Sequence, residues 1–294
     1  MPELPEVETV MRGLRPVLEG HQIAHVTLRR SGLRFPFPLR FADRLAGKRI
    51  DTLWRRAKYI LASLDSGEIL LIHLGMTGRF TVIEGGRPKN LGEFYFETAA
   101  AEVGEGLHDH VALTLENGTR IIYTDPRRFG VMDLFPEAEA ESHKLLRGIG
   151  LEPLGNAFDA AYLAERFKGK AAPLKAALLD QRIIAGLGNI YVCEALHRAG
   201  LSPRRKAGTM LRKRGHDPRL DDLVRHIREV LAEAILAGGS TLQDFAHTDG
   251  SAGAFQQRFL VYDREGQPCM RCGQAIERLV QSGRSTFYCR HCQR

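Results

Sequence analysis

The sequence predicts an α+β protein: a strand-rich N-terminal half, a helical C-terminal half and a small cysteine-stapled tail. Three observations predict it. Between residues 25 and 135, short runs rich in Val, Ile, Leu and Tyr recur with turn signals between them. From about residue 156 the apolar residues fall at helical spacing instead. Two Cys-x2-Cys pairs close the chain after Cys269.

The elements follow in order. Residues 5–19, PEVETVMRGLRPVLE, form a helix: Pro5 suits a first helical position, and Glu6 and Glu8 lie where the helix dipole favours anions. Val7, Val10, Met11, Leu14 and Leu18 share one face. Strands are expected at 25–30, 49–54, 59–65, 68–74, 79–84, 110–125 and 130–135, with Asn117-Gly118 turning a hairpin inside 110–125. Short strands at this spacing suggest a sandwich or barrel. Helices are expected at 159–167, 173–180, 189–200 and 217–239, with Asp or Asn near starts and Gly at ends. Glycines in AGLGNI (185–190) separate two of them. HTDGSAGAF (247–255) reads as a Gly-rich loop. The expected domains are 1–150, 151–245, a loop and connector over 246–268, and a tail module over 269–294.

With 294 residues and 44% apolar content, the chain can bury sizeable cores. Its formal net charge is +7, which favours a polyanionic partner such as nucleic acid. The charge is uneven: RRKAGTMLRKRG (204–215) carries six positive residues, and the segment from Cys269 carries five Arg against one Glu. No apolar run approaches the ~20 residues of a membrane span. The acidic N-terminus lacks the basic and apolar regions of a signal peptide, so a cytoplasmic location is expected.

The strongest chemical signal is Cys269-x2-Cys272, 16 residues, then Cys289-x2-Cys292, the spacing of one tetrahedral zinc-thiolate site. The fifth cysteine, Cys193, reads as a small buried hydrophobe on a core helix. Strand formers around Gly283 predict a hairpin between the knuckles, with Arg284 near its tip. A guanidinium there could grip phosphate or simply be solvated, and residue chemistry leaves the two even. DPRRFG (125–130) could present an Arg and a Phe as a wedge for a base stack, although a turn with a core Phe is the plainer reading. Met76 in HLGMTG (73–78) is open to the same pair of readings, wedge or core. HDH (108–110) could ligate metal, contact phosphate or be solvated.

The chain opens MPELPEVETV. Removal of Met1 would leave Pro2 with a free secondary amine, and an α-amino group of pKa ~7.7–8.0 is partly neutral near pH 7 where Lys at ~10.4 is not. Such an amine attacking an aldehydic carbon gives a cationic iminium, an electron sink. Glu3 beside it could move protons. Residue chemistry alone still favours a solvated acidic tail, because Pro at position 2 is common.

Together, MPELPEVET, RRAKY (55–59), HLGMTG, HDHV (108–111), YTDPRRFG (123–130), GLGNIY (186–191), FQQRFLVYDREGQPC (255–269) and GRSTFYC (283–289) resemble the bacterial formamidopyrimidine-DNA glycosylases, which remove 8-oxoguanine and also act as AP lyases. The resemblance runs along nearly the whole chain. It implies an N-terminal two-layer β-sandwich with a flanking helix and a helix-two-turn-helix domain ending in a zinc-finger β-hairpin. It further implies duplex DNA carrying oxidised purine or AP sites, bound in a basic cleft between the domains by a monomer associated with a bacterial nucleoid. The damaged nucleotide would be flipped out so that C1′ can be reached. Pro2 is similar to the family's nucleophile and Glu3 to its proton donor. Lys58 matches the residue of β-elimination, and Arg284 that of δ-elimination and phosphate contact. Met76, Arg127 and Phe129 resemble the trio that fills the gap left by the base. His73, His108, Lys170 and Asn189 match DNA-backbone contacts, with Lys175 in KGKAAPLK an alternative to Lys170 because the spacing there departs from the family's. The loop 247–255 looks like the one that closes over the extruded base, and the four Cys would hold one structural Zn2+.

Two other readings compete. An endonuclease VIII-type glycosylase for oxidised pyrimidines uses the same Pro-Glu pair, but the ELPEVET start and the Met and Arg-Arg-Phe residues stand against it. A non-catalytic zinc-dependent DNA-binding protein would make no use of Pro2, Glu3 and Lys58 together, and a retained Met1 would produce one.

Overall fold

The structure, a computed structural model, describes residues 2–91, 106–212, 215–240 and 255–294. It divides into two compact units, Met1–Arg147 with Ala237–Ala254, and Gly148–Leu236 with Phe255–Arg294.

The first unit opens with α1 (Leu4–Leu18), whose Val7, Val10, Met11, Leu14 and Leu18 are all buried as their spacing predicts. Burying each is worth ~1.5–3 kcal/mol, which exceeds the ~1–2 kcal/mol of fixing one residue's backbone. The strands are β1 (Ile23–Leu28), β2 (Ile50–Arg56), β3 (Tyr59–Leu64), β4 (Glu68–His73), β5 (Arg79–Glu84), β6 (Arg87–Leu91), β7 (Asp109–Leu115), β8 (Arg120–Thr124) and β9 (Val131–Pro136). They form two antiparallel sheets, β1-β7-β8-β5-β6 and β2-β3-β4-β9, which share one core with α1. This is the two-layer sandwich. Strands β3 and β4 are apolar nearly throughout because a second cluster covers their other face: Leu61, Ile69, Leu71 and Phe135 pack with Trp54, Leu145 and Leu146. The Asn117-Gly118 hairpin is present, with Gly118 at φ +83° and Leu115 bonded to Thr119. Two elements lie outside the sequence expectation, α2 (Phe41–Leu45) and β6. The first is five residues long, and RPKNL of β6 is an edge strand whose exposed Arg, Pro, Lys and Asn carry no apolar alternation.

The second unit is helical. Asp159 caps α3 (Ala160–Phe167), its carboxylate accepting the Tyr162 amide at 2.7 Å. Helices α4 (Leu174–Leu178) and α5 (Asn189–Arg198) flank a hydrogen-bonded turn, closed by Ile183 N–H donating to Asp180 O, and a bend at Ala185-Gly186. Helix α5 is buried from Asn189 to His197, Cys193 included, so it forms the unit's axis with α6 (Arg219–Leu236) packed beside it. The expected helix to 239 ends earlier, before Gly238 and Gly239 at positive φ. Strands β10 (Glu277–Gln281) and β11 (Arg284–Tyr288) make the tail hairpin. Among the described residues no helix is long and apolar enough to cross a membrane. Residues 213–214 of the basic run and 247–254 of the Gly-rich loop lie outside the described residues.

Candidate active site

Pro2 and Glu3 are buried, Glu3 to 3% exposure, which replaces the picture of a solvated tail. Glu3 is the N-cap of α1, and its N–H donates to Glu6 Oε2 at 2.8 Å. The other oxygen of Glu6 accepts the Ser240 amide at 2.7 Å and the Ser240 hydroxyl at 3.0 Å. One buried carboxylate thus fixes both the backbone beside Pro2 and the root of the segment that runs on from Ser240.

Lys58 occupies the two-residue turn between β2 and β3, after Ala57 at φ +52°. It is 7% exposed. Arg55 braces the turn, its Nε donating to Glu8 Oε2 at 2.8 Å and its Nη1 to Ala57 O at 2.9 Å. This ties the Lys58 turn to the N-terminal half of α1, which follows Pro2 and Glu3. His73 ends β4 opposite Tyr59. Burial and then the charges of Lys58 and Arg34 push its pKa down to about 4, so the ring is neutral near pH 7. Its Nδ1 accepts the Gly75 amide at 3.0 Å, which leaves the proton on Nε2 as a neutral donor.

Met76 and the Arg127–Phe129 pair stand on two adjoining loops. Phe129 is 42% exposed, with the Arg127 guanidinium 4.7 Å over its ring. An exposed ring on a loop tip answers the sequence ambiguity against a core Phe. Met76 is half-buried beside it in the 74–78 loop. A Cβ on Gly75 would meet the backbone of Phe129 and Gly130 at 2.4 Å, so only glycine at φ +66° lets the loops touch. The HDH triplet divides: His108 is exposed, whereas His110 is buried with Nε2 3.0 Å from Asp125 O. The metal reading of HDH has no support, since the four-cysteine group is the one candidate metal cluster among the described residues.

In the second unit, Arg284 is exposed directly after the tip turn Ser282-Gly283, where both residues have positive φ. The strand behind it is held by two side chains: Asn189 Nδ2 and Lys175 Nζ each donate to Ser285 O at 3.0 Å. Lys175 is 0% exposed and also donates to Thr286 Oγ1, so it serves the interior. Lys170 is half-buried on the connection before α4. Asn189 at the start of α5 is 9% exposed.

The four sulfurs of Cys269, Cys272, Cys289 and Cys292 lie within 4.8 Å of one another, with Cys272–Cys289 at 3.5 Å and Cys269–Cys292 at 4.0 Å. A tetrahedron with Zn–S near ~2.3 Å has edges of ~3.8 Å, so the cluster fits one structural zinc. His197, 1% exposed on α5, places Nε2 3.4 Å from Cys269 Sγ, a contact from behind that sequence spacing does not reveal. Nor does it reveal Glu194, whose buried carboxylate accepts the amides of Leu260, Val261 and Tyr262; burial pushes its pKa up against them.

Comparison with known proteins agrees. Residues 1–132 match the formamidopyrimidine-DNA glycosylase N-terminal domain, 149–246 the H2TH domain of the same enzymes, and 266–294 the zinc finger found in FPG and IleRS. A formamidopyrimidine-DNA glycosylase of Chelativorans is 56% identical, with all of both chains covered. The crystal structure of the Fpg protein of Thermus thermophilus matches with a TM-score of 0.80 at 40% identity, covering 99% of this chain and 98% of that one. Lactococcus lactis Fpg in complex with DNA containing N7-benzyl-Fapy-dG matches at 0.81 and 29% identity, with 99% of each covered. Matched end to end by these proteins, and by three domain descriptions in the same order, the chain belongs to the formamidopyrimidine-DNA glycosylase family.

Proposed function

We propose that this protein removes oxidised purines, 8-oxoguanine and formamidopyrimidines, from duplex DNA and then cleaves the resulting abasic site by β,δ-elimination. The observation that carries the reading is the buried Pro2-Glu3 pair at the head of α1, in a chain that full-length formamidopyrimidine-DNA glycosylases match at 56% identity. With Met1 removed, the Pro2 nitrogen attacks C1′ of the flipped nucleotide and the bond to the base breaks. Glu3 supplies the proton as the base leaves and the sugar ring opens, giving an iminium between Pro2 and C1′. Loss of a C2′ proton then expels the 3′ phosphate, with Lys58 beside it, and the second elimination expels the 5′ phosphate, with Arg284 as its cation. Water finally releases Pro2.

Met76, Arg127 and Phe129 take the place of the flipped nucleotide, Arg127 facing the orphaned cytosine. His73, His108, Lys170 and Asn189 contact phosphates, His73 through its neutral Nε2–H. Cys269, Cys272, Cys289 and Cys292 bind one structural Zn2+, which supplies no reacting group and fixes the hairpin that presents Arg284. The chain works as a monomer on DNA in the cytoplasm, at the nucleoid of a bacterium. Its functional division is a catalytic sandwich over 1–150, a DNA-binding helical domain over 151–245, a base-capping connector over 246–268 and the finger over 269–294.

The test is borohydride trapping with a duplex carrying 8-oxoguanine opposite cytosine, the adduct mapped by mass spectrometry. An adduct on Pro2 is expected. An adduct formed with an oxidised pyrimidine alone would reassign the enzyme to the endonuclease VIII type. Tight duplex binding by Met1-processed protein with no adduct on either substrate would leave a non-catalytic DNA-binding protein.

A further inference from the structure

Asp125 is 0% exposed, yet both of its carboxylate oxygens are occupied. Oδ1 accepts the Thr77 hydroxyl at 2.5 Å. Oδ2 accepts the Gly130 amide at 2.8 Å and the Tyr123 hydroxyl at 3.3 Å. Thr77 Oγ1 in turn accepts the Arg127 amide at 3.2 Å. The main chain of Asp125 is engaged as well: its carbonyl accepts Arg128 N–H and faces His110 Nε2, and its amide donates to His108 O.

These bonds join two loops that are far apart in sequence. Thr77 follows Met76 directly, and Gly130 follows Phe129 directly. The glycines make the union close, because a Cβ on Gly78 or Gly130 would meet the Tyr123 hydroxyl at 2.2 or 2.0 Å. A buried carboxylate with three donors is costly to leave unmade and has few alternative arrangements. The spacing between Met76 and the Arg127–Phe129 pair is therefore set from below, by one side chain.

We infer that Asp125 is a positioning residue for base extrusion: its carboxylate locks the two loops so that Met76, Arg127 and Phe129 enter the duplex as one body. The inference rests on the wedge assigned to those three residues under the proposed function. Asp125 touches no reacting atom, so its effect belongs to extrusion and not to chemistry at C1′. Extrusion from an intact pair costs unstacking and unpairing, whereas an abasic nucleotide has no base to unstack.

The test uses the full-length zinc-loaded protein and three variants, Thr77→Val, Thr77→Ser and Asp125→Asn. Thr77→Val removes the hydroxyl from both of its bonds at nearly constant volume, so it decides the matter even if Asp125→Asn fails to fold. Single-turnover base release from an 8-oxoguanine·cytosine duplex should fall about tenfold or more in Thr77→Val and Asp125→Asn, as expected for a lost hydrogen bond to a buried carboxyl group. Strand cleavage at a preformed abasic site should fall by about threefold at most, and Thr77→Ser should restore release. With 2-aminopurine next to the lesion, the fluorescence rise that reports extrusion should slow in step with release. Equal losses on both substrates, or a Thr77→Val variant that matches wild type on both, would overturn the inference. A wild-type protein inert on both substrates would overturn the proposed function itself.

Discussion

Lys175 donates its ammonium to Thr286 Oγ1 at 2.7 Å and to Ser285 O at 3.0 Å, sewing α4 to strand β11 just behind Arg284. Its stem and head are wholly buried. Lys170, five positions earlier, remains half-buried at the surface. The two lysines should therefore fail in different ways. Lys175→Ala leaves two buried acceptors unmade and is expected to lower stability by ~2–4 kcal/mol in urea unfolding. Lys170→Ala should leave the unfolding midpoint in place, weaken duplex binding, and reduce the slope of log K against log salt by ~0.9 for one lost phosphate contact. Exchanged outcomes would assign the phosphate contact to the wrong lysine.

His73 makes stability depend on pH in a defined window. Its folded pKa is about 4, against the ordinary 6.5. Between these values the unfolded chain binds a proton that the folded ring refuses, so stability falls as pH drops through 6.5 and the loss levels off below about 4. Discounted for the ring's partial exposure, the loss is ~1–3 kcal/mol. His73→Asn should remove this share, so the gap between variant and wild type in urea unfolding narrows from pH 7 to pH 5. Parallel decline of the two proteins would show that the ring titrates normally.

The Pro2 amine has no substitute in the proposed reaction, which assigns the buried Lys58 to elimination instead. An N-terminal extension that retains Met1, or Pro2→Gly, should abolish base release while duplex affinity stays within about threefold of wild type, since phosphate contacts carry most of the binding. Base release at the wild-type rate by the extended protein would sink the iminium mechanism.

Helix α1, most strands and the cysteine cluster were legible because each is written locally, in a 3.6-residue stripe, a run of β-branched residues or a pair of knuckles. Strand β6 was not, since RPKNL is set by pairing with β5 and not by its own side chains. The setting of Glu3 was not legible either: Glu6, which accepts its amide, is also bonded by Ser240 from far along the sequence. Asp125 stood in plain view within DPRRFG, but its partner Thr77 lies 48 residues away. Lys175 stood in the sequence as an alternative to Lys170 for a DNA-backbone contact, and its cover by β11 could not be read there. What escaped is non-local in each case, a polar side chain whose role is decided by the element folded against it.

Zinc removal should act on the second unit beyond the finger. The knuckles are strapped to α5 and the connection after it: Gln293 Nε2 donates to Leu201 O at 3.0 Å, Gln293 Oε1 accepts the Cys289 amide at 2.8 Å, and His197 backs Cys269. Cys289 is 0% and Cys269 2% exposed, so loss of the ion leaves buried thiols with no common ligand. Chelation, or Cys289→Ser, should release the β10–β11 hairpin, free Lys175 and Asn189 from Ser285, and lower the melting temperature of the helical unit. The sandwich keeps its own core and should melt where it did before. Duplex binding should weaken by an order of magnitude or more, because Arg284 then sits on a disordered chain and its ordering cost returns on binding. Calorimetry of zinc-loaded and zinc-free protein, with binding measured at one fixed salt concentration, separates these effects. Intact affinity without zinc would remove the finger from DNA binding, and a sandwich transition that shifted with the metal would mean that the two units do not unfold independently.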